Sequence, residues 1–177
     1  IHHPDVKRML LDMKCVVEAG RCLTLYAAYC IDLSKRHADA SIRQIFSDRL
    51  SLLTPVVKAW ITDRAIECAS TGIQVHGGLG YIEDTGAAQH LRDARIMAIY
   101  EGTNGIQAND LIGRKILRES GSSMLRLISD MRDDITGATV AEGGPLAAIL
   151  LATRQSIDDL ESAVDWILHS ASNDPEG

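Results

Sequence analysis

Residues 74–107 read QVHGGLGYIEDTGAAQHLRDARIMAIYEGTNGIQ, and the reading of this stretch decides the fold. It joins a glycine-dense turn, Gly77-Gly78-Leu79-Gly80, to an amphipathic run and then to an acid set between an aromatic residue and a glycine, Tyr100-Glu101-Gly102-Thr103. Glycines allow positive φ and let another backbone or a ligand approach closely. No strand pattern precedes them, so they are not a dinucleotide fingerprint, and a glycine-rich turn between helices needs no ligand. Leu91, Ala94 and Ala98 recur at helical spacing, which predicts a helix from about Thr85 to Tyr100. Thr103 or Asn104 can cap the next helix, which runs to about Glu119, and Gln107 completes a capping arrangement. The start of that helix directly follows Glu101, where its dipole favours an anionic group.

Working outward, apolar residues from Val6 through Met9, Met13, Val16, Val17, Leu23, Ala27, Cys30 and Ile31 keep a three-four spacing. That spacing predicts one long helix from Asp5 to about Leu33, with Pro4 at its approach. A second helix is expected from about Ser41 to Ser70. Pro55 lies inside it and removes one backbone donor, so a kink near Leu52 is expected in preference to a break. Beyond Gly121, Met124, Ile128, Met131 and Ile135 form one stripe, and Leu146, Ile149, Leu150, Ile157, Leu160, Val164 and Ile167 form a longer one. Residues 136–145, with Gly143-Gly144-Pro145, read as a connection between them. The expected architecture is all-α: an up-and-down four-helix bundle over residues 1–120 with additional C-terminal helices packed on it over 121–177.

Composition agrees with helices. Hydrophobic residues make up 46% of the chain and aromatic ones 4%, so the core is aliphatic and alanine-rich, which suits helix-on-helix packing. Up to Ser120 there are fifteen Lys and Arg against fourteen Asp and Glu, and after it three against ten. With no basic stripe to follow phosphates, nucleic-acid binding is not expected. No apolar run approaches the length of a membrane span.

Cys15, Cys22 and Cys30 lie seven or eight residues apart in one predicted helix. A helix rises 1.5 Å per residue, which separates them by roughly 10 Å, too far to bridge within the chain. They and Cys68 are expected to be reduced, buried thiols, and a cytoplasmic location follows. His76 and His90 have no partner at ligand spacing, so no metal site is expected.

Glu101 alone among the acids stands between bulky apolar neighbours, Ile99 and Tyr100, and a glycine, just before a new helix. It is an ordinary surface carboxylate or, if those neighbours desolvate it, a general base with raised proton affinity.

The order Gln74-x-x-Gly77-Gly78-x-Gly80-Tyr81, then Arg92-Asp93-Ala94, then Tyr100-Glu101-Gly102-Thr103, resembles the C-terminal α-helical domain of the acyl-CoA dehydrogenases. The opening His3-Pro4-Asp5-Val6-Lys7-Arg8-Met9-Leu10 resembles the bacterial branch with a long C-terminal extension. The resemblance implies that Glu101 is the base that removes a proton beside the thioester of an acyl-CoA while hydride passes to FAD. It implies that Gln74, Gly77 and Gly78 contact the adenosine-pyrophosphate end of the FAD of a neighbouring subunit, and that Thr103 lies near the FAD of the Glu101 site. A homodimer or homotetramer and an electron-transfer partner are implied as well. Gly105 stands where many members have glutamine, so no side-chain contact is expected there. Arg92 and Asp93 are expected in a structural ion-pair network.

Family members also carry an N-terminal helical domain and a middle β-domain. The chain has 177 residues and no initiating methionine, so it reads as a piece of a longer protein, inactive by itself. Two competing classes are a DNA-binding flavoprotein of the alkylation-response type and a structural helical oligomerisation module. The neutral front half and Glu101 disfavour the first.

Overall fold

The computed structural model describes residues 2–138 and 144–173. Among them the chain is helical throughout, with no strand, as the aliphatic composition requires. It folds as two compact units, residues 1–108 and 109–177.

The first unit is built on two long helices. Helix α1, Pro4–Arg36, opens with the His3 side chain accepting from the Asp5 N–H, has Pro4 in its first turn, and carries Lys35 and Arg36 at its last turn. All three features suit the helix dipole or its orphan donors. Helix α2, Ala40–His76, starts under Asp39, whose carboxylate accepts from the Ser41 N–H at 2.7 Å. The helix continues unbroken through Pro55 and past the expected end at Ser70. Pro55 is buried, so its ring packs in the core, and one missing N–H is a small fraction of the bonds in a 37-residue helix.

Helices α1 and α2 meet where Gly20 leaves room for the Trp60 ring, 3.6 Å from where a Cβ would stand. Cys30, Leu52 and Leu53 form the buried centre. Arg49 is also buried there, and its guanidinium donates to the Tyr26 hydroxyl at 2.7 Å. The Tyr29 ring meets Phe46 edge-on, with centroids 5.8 Å apart. The expectation of buried thiols holds for Cys30, whose pKa is pushed up by burial, and fails for Cys15 and Cys22, which are exposed.

After α2 come the single-turn helix α3, Gly78–Tyr81, a 3₁₀ turn over Glu83–Thr85, and helix α4, Ala87–Met97. Helix α4 packs on α2 through Ala94, and Ala98 is buried just beyond its end. Its ends lie inside the predicted range of Thr85–Tyr100, because residues 98–103 form a turn. Arg92 and Asp93 do not pair with each other: Arg92 bonds Glu83 at 2.6 Å, and Asp93 accepts from Gln89. Helix α5, Asn104–Asn109, follows the turn.

In the second unit, the stretch predicted to continue as an α-helix is a π-helix, Asp110–Leu117. Helix α6, Ser122–Gly137, and helix α7, Pro145–Asn173, pack through Met124, Ile128, Ile157 and Val164, with Ile116 of the π-helix also buried. The Arg132 guanidinium spans α6 and α7, reaching Asp158 at 2.6 Å and Glu161 at 2.7 Å. Leu146 and Ile149 stay exposed, so the predicted stripe of α7 is buried only in its later part. Half of the expected connection at 136–145, residues 139–143, lies outside those described, while Thr136 and Gly137 belong to α6 and Pro145 to α7. No helix among the described residues is long and apolar enough to cross a membrane.

Candidate functional site

The residues singled out from sequence fall into two places on the first unit. Gln74 is exposed on the last turn of α2, beside the glycine bend. There α2 stops because Gly77 takes φ 62°, ψ −146°, a region closed to residues with a Cβ. The three glycines of the bend do different work. Gly80 is buried against α2, where a Cβ would fall 2.4 Å from the Ile73 carbonyl oxygen, so its smallness serves packing. Gly77 and Gly78 are exposed, and a Cβ on either would have nothing within 4 Å. Their open side is where a flat, extended ligand could lie against the backbone. His76 is engaged locally, with its Nδ1 2.7 Å from the Gly72 carbonyl oxygen.

The second place is the turn between α4 and α5. Glu101 there has φ 54° and Gly102 φ 87°. Left-handed backbone at a glutamate costs roughly 1 kcal/mol or more and persists only when its surroundings impose it. The surroundings here come from α2. Lys58, half-buried, donates from Nζ to the Gly102 carbonyl at 2.8 Å and to Asn104 Oδ1 at 2.8 Å. The Asn104 amide nitrogen donates to Asp63 Oδ1 at 2.7 Å, to Thr62 Oγ1 at 3.0 Å and to the Ala59 carbonyl at 3.2 Å. Lysine only donates and an ionised aspartate only accepts, so the amide has one orientation that serves both.

Of the two cap candidates, Thr103 is the cap, its hydroxyl accepting from the Ile106 N–H at 3.3 Å. Asn104 is turned inward to α2 instead. Gln107 does not close a capping box, since its amide lies 3.4 Å from the carbonyl oxygens of Glu101 and Gly102.

Within this chain Glu101 is exposed, which corrects the expectation of a dry carboxylate. Ile99 and Tyr100 do not cover it because they are themselves about half exposed, at 46% and 50%, as is Ile106 at 56%. Dry surroundings for the acid would have to come from something other than these side chains. The two places are also far apart. Lys58 and Gln74 stand sixteen residues apart on one helix, which is about 24 Å at 1.5 Å per residue.

A wide apolar groove of about 930 Å³ between α1, α2 and α4 is lined by Gly20, Leu25, Trp60, Arg64, Cys68 and His90 among others, and not by Gln74, Gly77, Gly78, Glu101 or Thr103. Among the described residues no group of three or more His, Cys, Asp or Glu is placed to hold a metal ion. The roles of Lys58 and Asn104 were missed from sequence. Their contacts span more than forty residues, and neither side chain carries a local signal for them.

The family model described as "Acyl-CoA dehydrogenase, C-terminal domain" matches residues 1–117. Similar curated proteins include 3-methylmercaptopropionyl-CoA dehydrogenase of Ruegeria pomeroyi, 42% identical over 99% of this chain and 29% of its own length. A butyryl-CoA dehydrogenase of Syntrophomonas wolfei is 36% identical over 92% of the chain and 27% of its own. The broad-specificity linear acyl-CoA dehydrogenase of Mycobacterium tuberculosis is 31% identical over 98% of the chain and 29% of its own. The chain thus spans less than a third of the length of these relatives.

Proposed function

From the premise that this chain belongs to the acyl-CoA dehydrogenase family and spans its C-terminal domain, we propose that Glu101 is the proton-abstracting base of an FAD-dependent acyl-CoA dehydrogenase. The observation that carries the reading is the left-handed backbone at Glu101, a non-glycine residue held in a costly conformation by a polar bracket from α2. Such strain gathers at functional sites.

In the proposed reaction, the bond between hydrogen and the carbon next to the thioester breaks, the proton goes to a Glu101 oxygen, and a carbon–carbon double bond forms. FAD, when bound, supplies the acceptor for the hydride that leaves the neighbouring carbon. The work of this chain is to hold the carboxylate against the substrate and keep it there. Ile99, Tyr100 and Ile106, near Glu101 in the chain, are each about half exposed and leave apolar surface to be covered. Coverage of that surface by the acyl-CoA and by the longer protein would exclude water and raise the basicity of the acid.

The open backbone at Gly77 and Gly78 and the exposed Gln74 amide fit the adenosine-pyrophosphate end of FAD, and the exposed Thr103 fits the FAD beside Glu101. The separation of about 24 Å along α2 supports assigning the bend to the cofactor of a neighbouring subunit in a homodimer or homotetramer. Residues 1–120 are assigned to the catalytic bundle and 121–177 to the extension, in keeping with a family match that ends at residue 117. An electron-transfer partner and a cytoplasmic location complete the reading, on family grounds and on the free thiols.

The test is Glu101→Gln in the full-length protein, assayed for turnover of an acyl-CoA with an artificial electron acceptor. A loss of about 10³-fold with flavin still bound is expected. Turnover within tenfold of the unaltered enzyme would remove the assignment.

A further inference from the structure

The bracket under Glu101 is more than a helix contact. Lys58 bonds the carbonyl of the residue following the proposed base, and it reaches that carbonyl from forty-four residues away. Its second acceptor, Asn104, is tied in turn to Asp63, one further turn along α2. The chain Lys58–Asn104–Asp63 therefore fastens both ends of the Gly102–Asn104 segment to a single rigid helix. A turn with two consecutive positive-φ residues has other conformations open to it. Without Lys58 the Gly102–Thr103 peptide would keep the longer contact from the Gln107 amide, at 3.4 Å, and the turn in which Glu101 stands would loosen.

We infer that Lys58 is a positioning residue: by holding the Gly102 carbonyl it fixes the left-handed turn at Glu101 and so aims the carboxylate at the acidic carbon of the substrate. The inference rests on the reading of Glu101 as the base.

The experiment uses the full-length flavoprotein with Lys58→Met, which keeps the stem and removes the donor, and Lys58→Arg, which keeps a donor. For each, kcat, KM, bound flavin, the isotope effect with substrate deuterated next to the thioester, and amide hydrogen exchange over residues 100–105 are measured. Lys58→Met is expected to lower kcat about 100-fold, the cost of misplacing a reacting group by about an ångström. KM and flavin content should stay within about twofold. The isotope effect should rise, exchange across the turn should quicken, and Lys58→Arg should recover most of kcat.

Unchanged kcat and unchanged exchange in Lys58→Met overturn the inference, as does a parallel loss of flavin with no larger isotope effect. Should Lys58→Met not fold, Asn104→Ala, which removes the second acceptor and the tie to Asp63, is read by the same measurements. Turnover surviving Glu101→Gln defeats the base itself. Turnover lost in Glu101→Gln but intact in Lys58→Met defeats only the positioning role.

Discussion

Gly80 lies so close to α2 that a Cβ on it would sit 2.4 Å from the carbonyl oxygen of Ile73 and 2.8 Å from the His76 Cβ. Backbone atoms cannot step aside as a side-chain tip can. Gly80→Ala should therefore cost about 2 kcal/mol or more, the range seen when a packed core is overfilled. Gly78→Ala, at a residue with nothing within 4 Å of the new methyl group, should be close to neutral for stability. Urea unfolding of both variants gives the comparison, and equal stabilities would mean that the bend does not pack as described.

Glu101 offers a cleaner reading of strain, because glycine and alanine both remove the carboxylate and differ mainly in the backbone they tolerate. At φ 54°, Glu101→Gly should be more stable than Glu101→Ala by about 1 kcal/mol. Both should lack turnover. If denaturant unfolding finds the alanine variant equally stable, the turn is relaxed and the argument from strain to function loses its footing.

The start of α2 predicts a pH effect. Asp39 has its pKa lowered, first by the Ser41 hydroxyl and then by the Ser41 N–H, both bonded to its carboxylate. A depressed folded pKa means that the cap contributes fully above the unfolded carboxylate value of about 4 and is lost as pH falls through the lower folded value. The difference in Tm between the natural chain and Asp39→Ala should be largest above the ordinary carboxylate range and shrink as pH falls below it. Asp39→Asn, which caps without a proton to gain, should keep its advantage over alanine at both ends of that range. Circular dichroism melts would reveal a gap that fails to close, and with it a cap that does not stabilise α2.

The helices were legible because their signal is local. The three-four recurrence from Val6 to Ile31 and from Val56 to Ala65 needs only neighbours a turn away, and α1 and α2 follow it. Their ends were less so. Gly72 beyond Ser70 disfavours helix by only about 1 kcal/mol, and Gly77, not the serine, stops α2. The π-helix at Asp110–Leu117 left no trace in composition, since a wider turn uses the same residues.

At the candidate site, Glu101 and the glycines stood out by chemistry and spacing, but exposure did not. Ile99 and Tyr100 look like a dry setting in one dimension and are about half exposed in three. Asn104 read as a cap by its position and serves as a tertiary tie, because Lys58 and Asp63 are brought to it by packing.

Between Lys58 and Gln74, α2 is a measured rod that carries the glutamate turn at one station and the glycine bend at another. Each residue added or removed along it would shift one station by about 1.5 Å and swing it through about 100° relative to the other. Descendants of this gene can therefore exchange the outward side chains of that interval freely. They cannot alter how many residues it contains, because an indel there would take the glutamate turn out of register with the glycine bend.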